Sequence, residues 1–484
     1  MVSPHYSIVG AETARARRTP QIPGLGRQRA EAYPHPLNFP GHSGRQNPFP
    51  DWRVSMNSGD VAWILAASAL VCMMIPALAL FYGGMVGSRR ILNMMMMCFG
   101  GVSIVAVLWA VFGYSIVFGN SVGGAGLIGD VTEYFGMEQL LAEDPAAPIP
   151  AALFAAFQLF FAGITTAIIA GAAAGRMKFG AWMTFAALWA TLVYFPVAHW
   201  VFAFTSADGS VTGGWIVNSL KAIDFAGGTA VHMNAGVAAL ALALVLGRSA
   251  GWPKSEHAKP HSRPLVLVGA GLLWAGWFGF NAGSALTAGQ SASVVFLNTA
   301  VAGAAGLLAW TLVERFRLGS ASSMGAASGL ISALVAITPA CGAVSPLGAL
   351  AIGAIAGAVC SLAIELKFRL GFDDSLDVVG VHLIGGIIGT LLIGLFATDA
   401  APNKVNGLFY GGGLDLLGIQ AVATVAVLAY SFAVTWIIAK VLNVTMGLRI
   451  HEADELLGID IAAHSEAAYL IDEEPVELGS PHRA

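Results

Sequence analysis

Residues Asp224 to Gly236 read DFAGGTAVHMNAG: an acid, paired glycines and a histidine at the head of an apolar run that continues to Gly247. A histidine carried into hydrocarbon is costly, and such a residue is read first as part of a functional site. A related stretch, DVVGVHLIGG, runs from Asp377 to Gly386. In both, Val-His is followed by a glycine four residues after the histidine: Val231-His232 with Gly236, and Val381-His382 with Gly386. The match predicts a duplicated fold with two imidazoles at its centre.

The 484 residues are 56% hydrophobic and only 11% charged, with a mean hydropathy of +0.72. Soluble domains carry about a quarter charged residues, so the chain reads as an all-α integral membrane protein. A net charge of -4 gives no reason to expect nucleic acid as a partner. Cys72, Cys98, Cys341 and Cys360 stand singly in apolar runs and read as small core residues, not as a disulfide or metal framework.

Residues 1–55 are rich in Pro, Gly and Arg and hold no run able to cross a bilayer. They read as a disordered leader or a start-site artefact, with Met56 a natural start. Eleven apolar runs follow, near 60–83, 93–118, 151–174, 180–203, 226–247, 264–283, 292–313, 324–340, 345–364, 378–397 and 417–440. Alternate connections carry Arg89 and Arg90; Arg176 and Lys178; Arg248, Lys254, Lys259 and Arg263; Arg315 and Arg317; Lys367 and Arg369. The opposite set holds only Lys221 and Lys404, plus an acidic stretch from Asp130 to Asp144. The excess of basic residues predicts the first set cytoplasmic, and eleven crossings then place Met56 outside and the C-terminus inside. Crossings one to five and six to ten then form two five-helix inverted repeats, plus a final helix, that bring both histidines to the midplane. The transmembrane domain spans 56–446. Residues 447–484 read as a polar cytoplasmic tail with nine acids after Gly447, either solvated or a surface that docks on the loops or on a soluble partner.

Asp224 stands where its carboxylate could cap the start of the fifth crossing through the Gly227, Gly228 and Thr229 segment, a simpler reading than a cation ligand. His232 and His382, if their rings meet, stay neutral and line an apolar conduit with polar edges. A metal site would need a third protein ligand, and no Cys, Asp or Glu has the spacing. FQLFFAGITT supplies Phe157, Phe160 and Phe161; AHWVFAF supplies His199, Trp200, Phe202 and Phe204; WFGFNAGS supplies Trp277, Phe280 and Ser284. Aromatic faces attract cations and a hydroxyl accepts from an N–H donor, so a convergent set would select a small hydrogen-bonding cation. Singly, the same rings read as packing or interface residues.

These strings, with FPVAHWVF and the tail GLRIHEADELLGIDIAAHSEAAY, resemble the ammonium transporter (Amt/Mep/Rh) family, bacterial Amt branch, from about Met56 to Tyr469. The resemblance implies an eleven-helix fold, a homotrimer with one pore per subunit, ammonium or methylammonium as substrate, no cofactor, and a PII-type signalling protein at the cytoplasmic face. It matches His232 and His382 to the twin histidines, Phe161 and Phe280 to the gate with Phe157 beside it, and Trp277 to the pore lining. It matches Ser284, Phe161 and Phe202 to the outer ammonium site, and Asp224 to the acid that shapes it. Phe202 stands where the family usually has Trp, and Ala174-Gly175-Arg176 where it has Ala-Glu-Arg. The implied function is a channel-type transporter and not an enzyme; an ammonium sensor signalling through the tail is the alternative.

Overall fold

The computed structural model describes residues 57–142, 147–253 and 259–469. The leader, Met56, Glu143 and Asp144 of the acidic stretch, Lys254 and the tail beyond Tyr469 lie outside the described residues. Each apolar run forms a helix: α1 Ser58–Met85, α2 Ile91–Phe118, α3 Ala151–Ala173, α4 Phe179–Phe202, α5 Gly228–Leu246, α6 Arg263–Gly283, α7 Gln290–Leu318, α8 Ser323–Ile337, α9 Pro346–Leu370, α10 Val379–Phe396 and α11 Asp415–Thr445. Ten are long and apolar enough to cross a membrane, and α8 is the shorter one. With 15 residues, α8 rises roughly 23 Å against a hydrocarbon core of about 30 Å. Turns over residues 338–343 carry the chain onward. Among the described residues there are isolated β-bridges but no strand, as expected where backbone groups in lipid must be satisfied within each segment.

Helix starts follow ordinary capping chemistry. Asn57, Ser262, Ser322 and Ser345 each accept a backbone N–H from the first turn of α1, α6, α8 and α9. The first helices of the two halves pack together, with Trp63 of α1 donating its Nε1–H to the Ala282 carbonyl of α6 at 3.2 Å.

The loops separate into two sets by partner. Arg90 Nη2 donates to the Glu455 carbonyl (3.0 Å), the Ala250 amide to Glu455 Oε1 (2.9 Å), and the Lys178 amide to the Leu448 carbonyl (2.9 Å). Arg248 Nε reaches the Gly371 carbonyl (2.9 Å), and Arg317 at the end of α7 pairs with Glu365 of α9 at 2.8 Å. The basic connections therefore share one face. Ala222, Leu286 and Asn403, from three of the other connections, meet around one cavity.

The described part of the tail is docked. Two short helices, α12 Glu452–Leu457 and α13 Ile459–His464, fold back on the basic loops. Arg449 pairs with Glu455 at 2.7 Å. The buried Asp460 carboxylate accepts the Leu92 and Asn93 amides (3.0 and 2.7 Å), capping α2 from a distant part of the chain.

Candidate functional site

Both histidine helices open on a π-helical turn, Gly228–Met233 in α5 and Val379–Leu383 in α10. The first turn of a helix leaves its backbone N–H groups without partners. Asp224 satisfies four of them: Oδ1 accepts from Gly227 and Gly228 (2.9 and 2.7 Å), Oδ2 from Thr229 and Ala230 (2.8 and 3.1 Å). In α10 the counterpart is Asp374, whose carboxylate accepts from Val378 and Val379 at 3.1 and 2.7 Å. Asp224 and Asp374 each stand eight residues before their histidine. Asp377, taken from sequence as the head of the second stretch, is not the equivalent acid; it pairs with Lys367 Nζ at 2.6 Å. Burial pushes both capping carboxyls up, Asp374 to about 6 with Lys367 opposing, while the four amides on Asp224 pull against its rise.

The glycines four residues after each histidine mark the crossing of α5 and α10. A Cβ on Gly236 would lie 2.4 Å from the Leu383 nitrogen, and one on Gly386 3.0 Å from the Met233 nitrogen. This close approach leaves His232 Nδ1 3.3 Å from His382 Nδ1, with ring centroids 5.3 Å apart and planes inclined by 27°. Both rings are buried. With one Nδ1 protonated and the other bare, a single proton joins the pair and both rings are neutral. Among the described residues, the buried His232 Nε2 has no hydrogen-bond partner.

The aromatic residues converge on this pair. Trp277 stacks on His232 at 5.3 Å and 22°, held by its Nε1–H on Thr338 Oγ1 at 2.8 Å. Phe280 lies 5.9 Å from His232 and stacks on Phe161 at 4.1 Å and 25°. Phe161 also borders a cavity of about 440 Å³ that Phe202, Phe204, Asp224 and Ser284 line as well. Phe157 lies edge-on to Phe161 at 4.9 Å, against Gly283, and lines neither this cavity nor the one next to His382. Trp200 turns away to donate to the Leu127 carbonyl, and His199 to bond Val117. Beside His382 and Trp277 lies a chamber of about 20 Å³ walled by Met74, Leu78, Phe81 and aliphatic residues of α3, α6 and α8. That is room for about one water-sized molecule. Among the described residues no group of three or more His, Cys, Asp or Glu is placed to hold a metal ion.

Sequence reasoning missed Asp374, Thr338, and Gln158, Lys221 and Asn403 on the wall of the larger cavity. The eight-residue offset would have found Asp374. The others arrive from separate elements and carry no local pattern.

A family model described as the Ammonium Transporter Family matches residues 62–469. An ammonium transporter of Mycobacterium tuberculosis is 54% identical over 437 residues, covering 85% of this chain and 90% of the relative. One of Bacillus subtilis is 44% identical, covering 86% and 99%. Among solved structures, Saccharomyces cerevisiae Mep2 superposes with a TM-score of 0.75 at 34% identity, covering 83% of this chain and 92% of that one. A chain described as a sensor Amt protein gives 0.75 at 27% identity, covering 84% and 98%.

Proposed function

Because the chain belongs to the Ammonium Transporter Family, we propose that it recruits ammonium at the Phe161–Phe202–Ser284 vestibule, that ammonium loses a proton at the phenylalanine gate, the proton returning outside or crossing separately, and that ammonia is conducted past the two histidines. The vestibule chemistry supports this reading. Ser284 donates its hydroxyl to the Phe280 carbonyl at 2.8 Å, so its oxygen presents only lone pairs to the cavity and accepts from an N–H donor. Phe161 and Phe202 add aromatic faces for a cation. Phe202 is smaller than tryptophan, so the cage is weaker than the usual family site. Asp224 has both oxygens committed to backbone amides and acts on a cation through its field and by shaping the wall.

Phe161 and Phe280 then oppose passage of a charged, hydrated ion, because a bare cation in an apolar slot is very costly. Neutral ammonia enters cheaply and finds the His232–His382 edge, whose shared proton leaves one acceptor and one donor nitrogen along the path. Phe157 backs the gate. The domains, on this reading, are the leader 1–55, the transporter 56–446 and the tail 447–484. The protein lies in the plasma membrane with the N-terminus outside and works as a homotrimer, and its docked tail offers a PII-type protein a cytoplasmic surface.

The observation that carries the proposal is the 3.3 Å histidine pair directly behind the stacked phenylalanines. In proteoliposomes, His232→Ala or His382→Leu should change ammonium-dependent flux, current or selectivity, with methylammonium as the size probe. Wild-type behaviour of both variants would remove the pore assignment.

A further inference from the structure

On the face where the tail docks lies a cavity of about 420 Å³ that shares no lining residue with the histidine site. Its walls are the loop Gly87–Arg90, Lys259 to His261, and Glu455, Leu456 and Gly458 of the tail. Arg89 and Arg90 both line it, and among the described residues neither forms an ion pair with a carboxylate. Arg89 Nη1 reaches the Leu457 carbonyl (3.4 Å), and Arg90, nearly wholly buried, gives Nη2 to the Glu455 carbonyl at 3.0 Å.

The carboxylates nearby are already engaged. Glu455 divides its oxygens between Arg449 (2.7 Å) and the Ala250 amide (2.9 Å). Asp460 is held by two amides of α2, and Asp373 by Arg176 at 3.0 Å. Gly175, with φ +68°, packs against Arg90, where an added Cβ would sit 2.9 Å from Nη1, and as a glycine it brings no carboxylate. Among the described residues, the consecutive backbone N–H groups of Gly87, Ser88 and Arg89 donate to no protein acceptor.

We propose that Arg89, Arg90 and the Gly87–Arg89 amides form a binding site for a soluble phosphate-bearing metabolite, seated between the first basic loop and the tail. Guanidinium forks pair with phosphate through two parallel hydrogen bonds, and consecutive backbone amides make anion-binding concavities. Two forks and three amides offer more donors than the two oxygens of one carboxylate can use, whereas a diphosphate or triphosphate can engage them all. The cavity volume falls in the range of small-molecule sites. A tail segment forms one wall, which places the site beyond the start of α2 in the aqueous layer and favours a soluble ligand over a lipid headgroup.

The test uses the full chain in phosphatidylcholine nanodiscs, titrated calorimetrically with inorganic pyrophosphate. Saturable binding is expected, weakened about ten-fold or more by Arg89→Gln, which removes a charge-assisted donor pair. Arg317→Gln, on the same face but ion-paired with Glu365, should leave it unchanged. Since Arg90 is buried, Arg90→Lys serves as the second variant, with its melting temperature compared with wild type. It keeps the charge, loses the fork and should also weaken binding. Pyrophosphate binding that ignores both arginines, or no binding at all, overturns the site. If only phosphatidylglycerol in the nanodisc binds in an Arg89-dependent way, the soluble ligand is wrong and the headgroup is the source.

Discussion

Two aspartates at the same offset from two histidines do the same local work under different conditions. Asp224 holds four amides and Asp374 two, and Asp374 also has Lys367 nearby, bonded to its own backbone carbonyl at 3.0 Å. Fewer donors stabilise the Asp374 anion, and burial raises it to about 6. The sign follows from linkage. Between the ordinary carboxylate value and about 6, the folded protein keeps a proton that the unfolded chain has released. The protonated form therefore contributes stability that is full at low pH and is lost as pH rises through about 6. The rise from the ordinary carboxylate value to about 6 corresponds to roughly 3 kcal/mol. Thermal melting of wild type and Asp374→Asn from pH 4 to pH 7.5 should show wild type losing stability relative to the variant across that window and a constant difference above it. A difference independent of pH would mean that Asp374 is charged throughout.

At the scale of elements, the crossing of α5 over α10 decides whether the two rings can meet. Gly236 leaves less room than Gly386, with an added Cβ 2.4 Å from backbone in one case and 3.0 Å in the other. Backbone cannot swing aside as a side chain can, so overpacking here forces the helices apart. Gly236→Ala should cost about 1–3 kcal/mol or more and lower transport, with Gly386→Ala milder on both counts. Melting temperature and flux measured on the same preparations would check it, and a reversed order would contradict the geometry. Most of this architecture was legible in the chain. Eleven apolar runs, the two Val-His–Gly patterns and the basic connections gave the helices, their centre and the two loop faces, because each is a local or periodic signal. Convergence was not legible: Thr338 meets Trp277, and Gln158 and Asn403 reach the vestibule, only after distant helices pack. The tail posed two alternatives, and Asp460 on the start of α2 selects docking.

For the whole molecule, the division of loops into two sets has an electrical meaning. The set that meets the tail carries Arg89, Arg90, Arg176, Lys178 and Arg248, while the other described loops carry Lys221 and Lys404. Translocating arginines is unfavourable during membrane insertion, so the tail face should be cytoplasmic and the vestibule should open outside. Cysteine labelling in intact cells separates the two orientations. Three of the four native cysteines are buried and Cys72 is partly so, which keeps the background low. Ala207 and Ser320 are both exposed, on the vestibule-side loop after α4 and the tail-side loop after α7 respectively. A membrane-impermeant maleimide should label Ala207→Cys in whole cells and leave Ser320→Cys unlabelled until the membrane is permeabilised. The opposite pattern would turn the vestibule inward, so that the Ser284 hydroxyl and its aromatic wall would meet ammonium made in the cell instead of ammonium arriving from the medium.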